Sequence, residues 1–445
     1  MSIAAMSFAF TSCEEKPTEP EVPPQDELGT EARMTSLTLV SGDVSVSAYV
    51  SGNTMEVAYK ANEYELLQNA TAEVVISDGA TIEPDPATPR DYTVEGGVTF
   101  TVTSEDGNTE NTYTVTLIEA IPVITATATW EKTVGELGLP TYSRGNVGIA
   151  FSGNNIVTYD TQVFDLTGSP VGKLNLTGVE GASDSNFQLA SLTNDANGVL
   201  VATVGLDASG AYVASGPTQT RFYAWMDGYD QAPTLIHSDD AYDFSVYMSV
   251  AGDVKGDAVL TFCAGRDATQ MHHVYGVTGG DWTNKTWSTV TMQYPGNDGN
   301  WGQGLTFLSG DPEGAFVMYD SRGDNQGLQI CYYENGVETR LSGTLEGEYG
   351  GSDLYGNYSQ GSAKAFMIDG VPYVAVASSG WVSTYLTVQP TNTEDEVILP
   401  TVTLGGAEVF PSVGVYYDSE AGNAYVAMLS PNSQVVLYTI SVQYV

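Results

Sequence analysis

The side chains of this chain that offer the most chemistry sit in short polar runs between β-rich segments. Trp301 closes the run Asn297-Asp298-Gly299-Asn300-Trp301, and Tyr355, Asn357 and Tyr358 share Tyr355-Gly356-Asn357-Tyr358. Trp381 follows Ser378-Ser379-Gly380, Arg266 stands in Ala264-Gly265-Arg266-Asp267, and Arg322 and Asp324 stand in Ser321-Arg322-Gly323-Asp324. Tyr242 and Arg144 occupy comparable runs. Such sets suit a carbohydrate. A flat ring stacks on the C–H face of a pyranose, and planar amide, carboxylate and guanidinium groups take hydroxyls in pairs. The ring candidates are Trp301, Trp381, Tyr355 and Tyr358. The polar candidates are Asn357, Asp298, Arg266, Arg322, Asp324, Tyr242 and Arg144. The same aromatics would also serve to pack sheets together, and Trp225, inside the run Phe222–Met226, is expected to do only that.

Catalytic chemistry is poorly provided for. Glycoside cleavage needs two carboxylates facing one bond, and no such pair can be named. Of a sialidase box, Asp281-Trp282-Thr283-Asn284-Lys285-Thr286-Trp287 keeps only the Thr-Trp end. There are three histidines, and His272-His273 on a strand point to opposite faces, where they do not easily share one metal. Cys263 and Cys331 lie in apolar strands without a Cys-x-x-Cys partner and read as buried thiols. No complete calcium loop is present, so Ca²⁺ stays without a motif and no cofactor is expected. Arg322-Gly323-Asp324 matches a cell-attachment tripeptide, but a tripeptide often occurs by chance and a b–c turn explains it here. The chain reads as a non-enzyme.

The elements that would position these residues follow from a repeat. Asn194-Asp195-Ala196-Asn197-Gly198 returns as Gly252-Asp253-Val254-Lys255-Gly256, as Gly310-Asp311-Pro312-Glu313-Gly314 and as Asp369-Gly370, 58 residues apart each time. Each turn joins two apolar runs, with Asp bonding its own backbone and Gly closing at positive φ. A hairpin at such a period means a β-propeller. Six units can be marked, with five or seven blades as alternatives, and the run Ile124–Glu131 is free to pair with the last blade and close the ring. The Asp turns join strands a and b of each blade and are expected to be structural, on a lower face. The polar runs fall in the b–c and d–a connections of the upper face.

Before the propeller, Thr35–Glu119 shows five alternating strands, ending in Val98–Thr103 and Thr112–Leu117 with Asp106-Gly107 between them. Alternation puts Phe100, Val102, Tyr113 and Val115 on one face. This is a small immunoglobulin- or cadherin-like sandwich, and the fold class is all-β. Lys+Arg 14 against Asp+Glu 55 gives a net charge of −41, which disfavours nucleic acid and anionic membranes.

At the N-terminus, Ile3–Phe10 is apolar and runs into Thr11-Ser12-Cys13, followed by Glu14-Glu15 and a proline-rich acidic stretch to residue 34. That order reads as a truncated lipoprotein signal (residues 1–13) with Cys13 acylated, then a solvated tether (residues 14–34). Together with the stretch Val98–Leu117, these features make the chain resemble Bacteroides-type surface lipoproteins of unassigned function. The resemblance implies a sandwich at 35–119, a propeller at 121–445, and lipid anchoring in the outer membrane with the protein facing outwards. It also implies capture of a polysaccharide or oligosaccharide for a neighbouring uptake system. A protein-binding scaffold or adhesin, and a glycosidase-like propeller, are the alternatives.

Overall fold

The structure, a computed structural model, describes residues 28–140, 148–214, 217–240, 248–264, 271–291, 304–322, 327–341, 360–379, 384–392, 397–404 and 411–444. Its two compact units divide between Glu119 and Ala120.

The first unit contains β1 (Met34–Ser41), β2 (Val44–Ser51), β3 (Thr54–Tyr59), β4 (Thr71–Ile76), β5 (Thr81–Glu83), β6 (Val98–Thr103) and β7 (Glu110–Glu119). They pair in the order β4-β1-β2-β3-β7-β6-β5, with β3 and β7 parallel. β2 is the corner, its first half pairing with β1 and its second half with β3. The sheet therefore turns on itself and closes over one core. Leu37 and Leu39 of β1, Met55 and Val57 of β3, Phe100 and Val102 of β6, and Tyr113 and Val115 of β7 form one buried cluster. Each contributes about 1.5–3 kcal/mol by leaving water. Alternation picked the buried face of β6 and β7 correctly. It missed β2, whose residues are all exposed or half-buried, and the three-residue β5.

The second unit is a propeller of six antiparallel four-stranded blades. Blade 1 has β9 (Ile149–Ser152), β10 (Asn155–Thr158), β11 (Gln162–Phe164) and β12 (Pro170–Lys173). Blade 2 has β13 (Ser191–Asn194), β14 (Leu200–Leu206), β15 (Gln219–Trp225) and β16 (Thr234–Asp239). Blade 3 has β17 (Met248–Gly252), β18 (Ala258–Ala264), β19 (Met271–Val277) and β20 (Thr286–Thr291). Blade 4 has β21 (Leu305–Phe307), β22 (Phe316–Arg322), β23 (Gly327–Glu334) and β24 (Val337–Arg340). Blade 5 has β25 (Gln360–Ile368), β26 (Val371–Ser379), β27 (Thr384–Pro390) and β28 (Leu399–Leu404). Blade 6 has β29 (Ser412–Asp418), β30 (Asn423–Ser430) and β31 (Gln434–Tyr444), and takes β8 (Pro122–Thr133) as its outer strand. The β8–β31 ladder runs from Pro122↔Tyr444 to Thr133↔Gln434, so the first strand of the unit completes its last blade.

Blades pack face to face. Val201 and Phe222 of blade 2 join Val250, Leu260 and Phe262 of blade 3 in one cluster, and Phe151 and Ile156 of blade 1 join Leu429 and Leu437 of blade 6 in another. Because both faces of a blade are covered, a middle strand such as β14 is buried at every position and reads as a continuous apolar run.

The repeated turns share a frame but not a conformation. Asp195 N bonds Val199 O at 2.9 Å, and Asp253 N bonds Asp257 O at 2.8 Å. Gly198 (φ 77°) and Gly370 (φ 86°) have positive φ, whereas Gly256 and Gly314 do not. The uniform glycine role expected from the repeat is therefore corrected. In blade 5 the connection shrinks to the two-residue turn Asp369-Gly370, with Asp369 also left-handed (φ 47°), which is the hairpin turn that matches strand twist.

Candidate functional site

Of the residues chosen from sequence, only Arg322 lies within the described residues, as the last residue of β22 opposite Gly327. Arg144, Tyr242, Arg266, Asp298, Trp301, Asp324, Tyr355, Asn357, Tyr358, Trp381 and Cys13 lie outside them. Trp225 has the packing role expected of it. It is fully buried, and its Nε1 donates to Asn175 O at 2.8 Å. Asp184 and Asn186, between blades 1 and 2, form a local turn in which Asn186 N donates to Asp184 Oδ1 at 2.8 Å. Cys331 is a buried thiol whose Sγ lies 3.9 Å from Glu338 Oε1. Among the described residues no three His, Cys, Asp or Glu side chains gather in a way that could hold a metal, and no helix is long and apolar enough to cross a membrane.

Two places carry the chemistry of the described structure. The first is a groove of about 570 Å³ where the a–b turns of blades 1, 2 and 3 meet the c–d turn of blade 2. Asn155, Asn197, Tyr229, Asp230, Asp253 and Lys255 line it, with Trp225 also in its wall. The turn bearing Tyr229 is tied to the end of blade 1. Asn175 N donates to Tyr229 O at 2.8 Å and Asn175 Nδ2 to Asp230 O at 2.9 Å. Lys255 Nζ pairs with Asp227 at 3.3 Å, an exposed ion pair of little energetic weight. A half-buried ring beside amide and carboxylate groups suits a small polar ligand. The sequence reading passed over this place because it treated the lower-face turns as structural. The available signal was Asp227-Gly228-Tyr229-Asp230, an aromatic residue beside acids in a c–d turn.

The second place is the propeller axis. Each inner strand has a free edge there, whose N–H and C=O groups need partners. Phe151 N of β9 donates to Asn194 Oδ1 of β13 at 3.0 Å. Ser249 Oγ of β17 donates to Thr306 Oγ1 of β21 at 2.9 Å, and Ala365 N of β25 donates to the same oxygen at 3.1 Å. Val413 N of β29 donates to Ser362 Oγ of β25 at 2.8 Å, and Ile149 N of β9 to Ser412 Oγ of β29 at 3.3 Å. The inner strands, read from sequence as mostly apolar, thus place Ser, Thr and Asn where the edges need them.

At the β13–β17 junction, where Ala196 N already donates to Gly252 O of β17 at 3.2 Å, Lys364 adds a charged bridge. Its Nζ donates to Asn194 O and Val250 O, although Lys364 belongs to β25 on the opposite side of the ring. Lys364 is 4% exposed, and burial lowers its pKa to about 8, against the pull of Asp195. Asp195 is itself 1% exposed. Its Oδ1 accepts from Asn197 N and Val199 N at 2.9 and 2.8 Å, and its Oδ2 accepts from Val254 N of the next blade at 2.9 Å. Burial pushes its carboxyl above the usual range, and these N–H donors and Lys364 oppose that rise. This carboxylate is spent on holding two blades together.

Residues 35–117 match the family model described as SGBP, N-terminal. No curated protein matches the chain. Among solved structures, a DUF4623 family protein from Bacteroides eggerthii is 12% identical, with 93% of this chain and 99% of that one covered at a TM-score of 0.48. An auxiliary nutrient binding protein from Bacteroides ovatus is 9% identical, with 92% and 91% covered and a TM-score of 0.36. Trypanosoma rangeli sialidase is 13% identical, covering 83% of this chain and 56% of its own, with a TM-score of 0.28. The part of the chain that matches a family is its sandwich, residues 35–117, which is similar to the N-terminal domain of the SGBP family.

Proposed function

We propose that this chain is a non-catalytic glycan-binding protein of the bacterial cell surface, with the sandwich as a spacer and the propeller as the ligand holder. The observation that carries the reading is the match of residues 35–117 to the N-terminal domain of surface glycan-binding proteins. Loop composition supports it. The b–c and d–a connections carry Trp301, Trp381, Tyr355 and Tyr358 beside Asn357, Asp298, Arg266 and Arg322, the rings and planar polar groups that sugars require. The ligand is a polysaccharide or oligosaccharide passed to an uptake partner, and Cys13 is the anchor in the outer membrane. The groove beside Tyr229 favours a second location on the opposite face.

Affinity gel electrophoresis of the purified chain against a panel of polysaccharides tests this, with Trp301→Ala, Trp381→Ala and Tyr229→Ala alongside and released sugars assayed. Retardation by one glycan, abolished in a Trp variant and without sugar release, is the expected result. Loss in Tyr229→Ala alone would move the site to the groove. Sugar release would favour the glycosidase alternative, and no retardation by any glycan would sink the proposal.

A further inference from the structure

At the axis of this propeller, backbone carbonyl oxygens of two neighbouring inner strands converge on one charged donor. Inner strands are edge strands, and an unpartnered buried carbonyl is costly. Converging carbonyls are what a desolvated cation seeks, since their dipoles replace its water. Here Asn194 O and Val250 O, on neighbouring inner strands, both receive the Lys364 ammonium from across the ring. The Asp195 carboxylate acts on the same charge. Asn194 extends the arrangement, because its Nδ2 donates to Val415 O of β29 at 2.9 Å while its Oδ1 accepts from β9.

We propose that Lys364 is the resident axial cation of this propeller, a tethered ammonium that fills a carbonyl-lined site where a small monovalent cation would bind if the side chain were removed. The four-carbon stem spans the axis and delivers the charge to the carbonyls of two neighbouring inner strands, β13 and β17. With the charge supplied by the chain, ring closure does not depend on the ions in solution. The stem also occupies the axis, so a ligand on either face has no route through it.

The test compares Lys364→Ala and Lys364→Met with the unaltered protein by thermal unfolding in chloride salts of equal ionic strength. Choline is too large for the site, whereas potassium and ammonium are small enough. Lys364→Ala is expected to lose roughly 5 °C or more of Tm in choline chloride, and to recover at least half of it in potassium or ammonium chloride. Lys364→Met, which fills the space without charge, is expected to fall and not recover, and the unaltered protein to be indifferent to salt identity and to EDTA. A Lys364→Met protein as stable as the original, or a Lys364→Ala protein equally unstable in every salt, would overturn the proposal. Should neither variant fold, ¹⁵N-lysine spectra of the unaltered protein decide. One ammonium resonance with protons protected from exchange at neutral pH is expected, and its absence refutes the assignment.

Discussion

His237, His272 and His273 are spread over β16 and β19, on neighbouring blades. His272 is 1% exposed, its Nε2 has no hydrogen-bond partner among the described residues, and burial with the adjacent His273 lowers its pKa to about 4. Burial, then Lys285, lowers His237 to about 4 as well. An imidazole in the unfolded chain titrates near 6.5, so between these values the native state binds fewer protons than the unfolded one. These residues therefore leave stability intact above 6.5 and erode it as pH falls towards 4. Replacing His272 with Gln is expected to flatten the loss between pH 7 and pH 5 by on the order of 2 kcal/mol. Urea unfolding at pH 7, 6 and 5 measures it, and parallel curves for both proteins would refute the assignment. The sequence placed the paired histidines on opposite faces of a strand, where they do not easily share a metal. It could not show that they are buried without charge, because burial is a property of the packed blades.

At the scale of the element, the repeated turn is one motif used in different ways. Gly198 is left-handed, and a Cβ there would lie 2.7 Å from Gly153 N in the neighbouring turn. Gly256 has no such φ, and its Cβ would meet the end of the Asp253 side chain at 3.3 Å, which can give way. Gly198→Ala is therefore expected to cost roughly 2 kcal/mol or more, and Gly256→Ala less than about 1 kcal/mol. Equal losses in chemical denaturation would show that the turns are conformationally equivalent after all. The spacing of the Asp and Gly residues located the hairpins correctly, because a hairpin is made of neighbours in sequence. It did not distinguish the glycines, since φ at Gly198 is set partly by blade 1, whose Gly153 N donates to Gly198 O at 3.4 Å.

At the scale of the molecule, the ring is closed by β8. Its Trp130 packs with blades 1 and 6, and the indole Nε1 donates to Leu166 O at 2.9 Å. A chain beginning at Ala120 is expected to unfold cooperatively, whereas one beginning at Val134 loses the outer strand of blade 6 and should melt at least several degrees lower. Calorimetry of the two chains checks this, and identical melting would mean that β8 is dispensable. Composition and periodicity together indicated the all-β class, a propeller of six units with five or seven left open, the buried face of β6 and β7, and a strand available to close the ring. These are short-range patterns, in which each residue's role follows from its neighbours' spacing. Only the tertiary structure decided what meets at the axis and in the groove. Lys364 and Asn194 are 170 residues apart, and the groove is lined by turns of three blades. Such partners are chosen by how the closed ring brings distant edges together, and no local spacing encodes that.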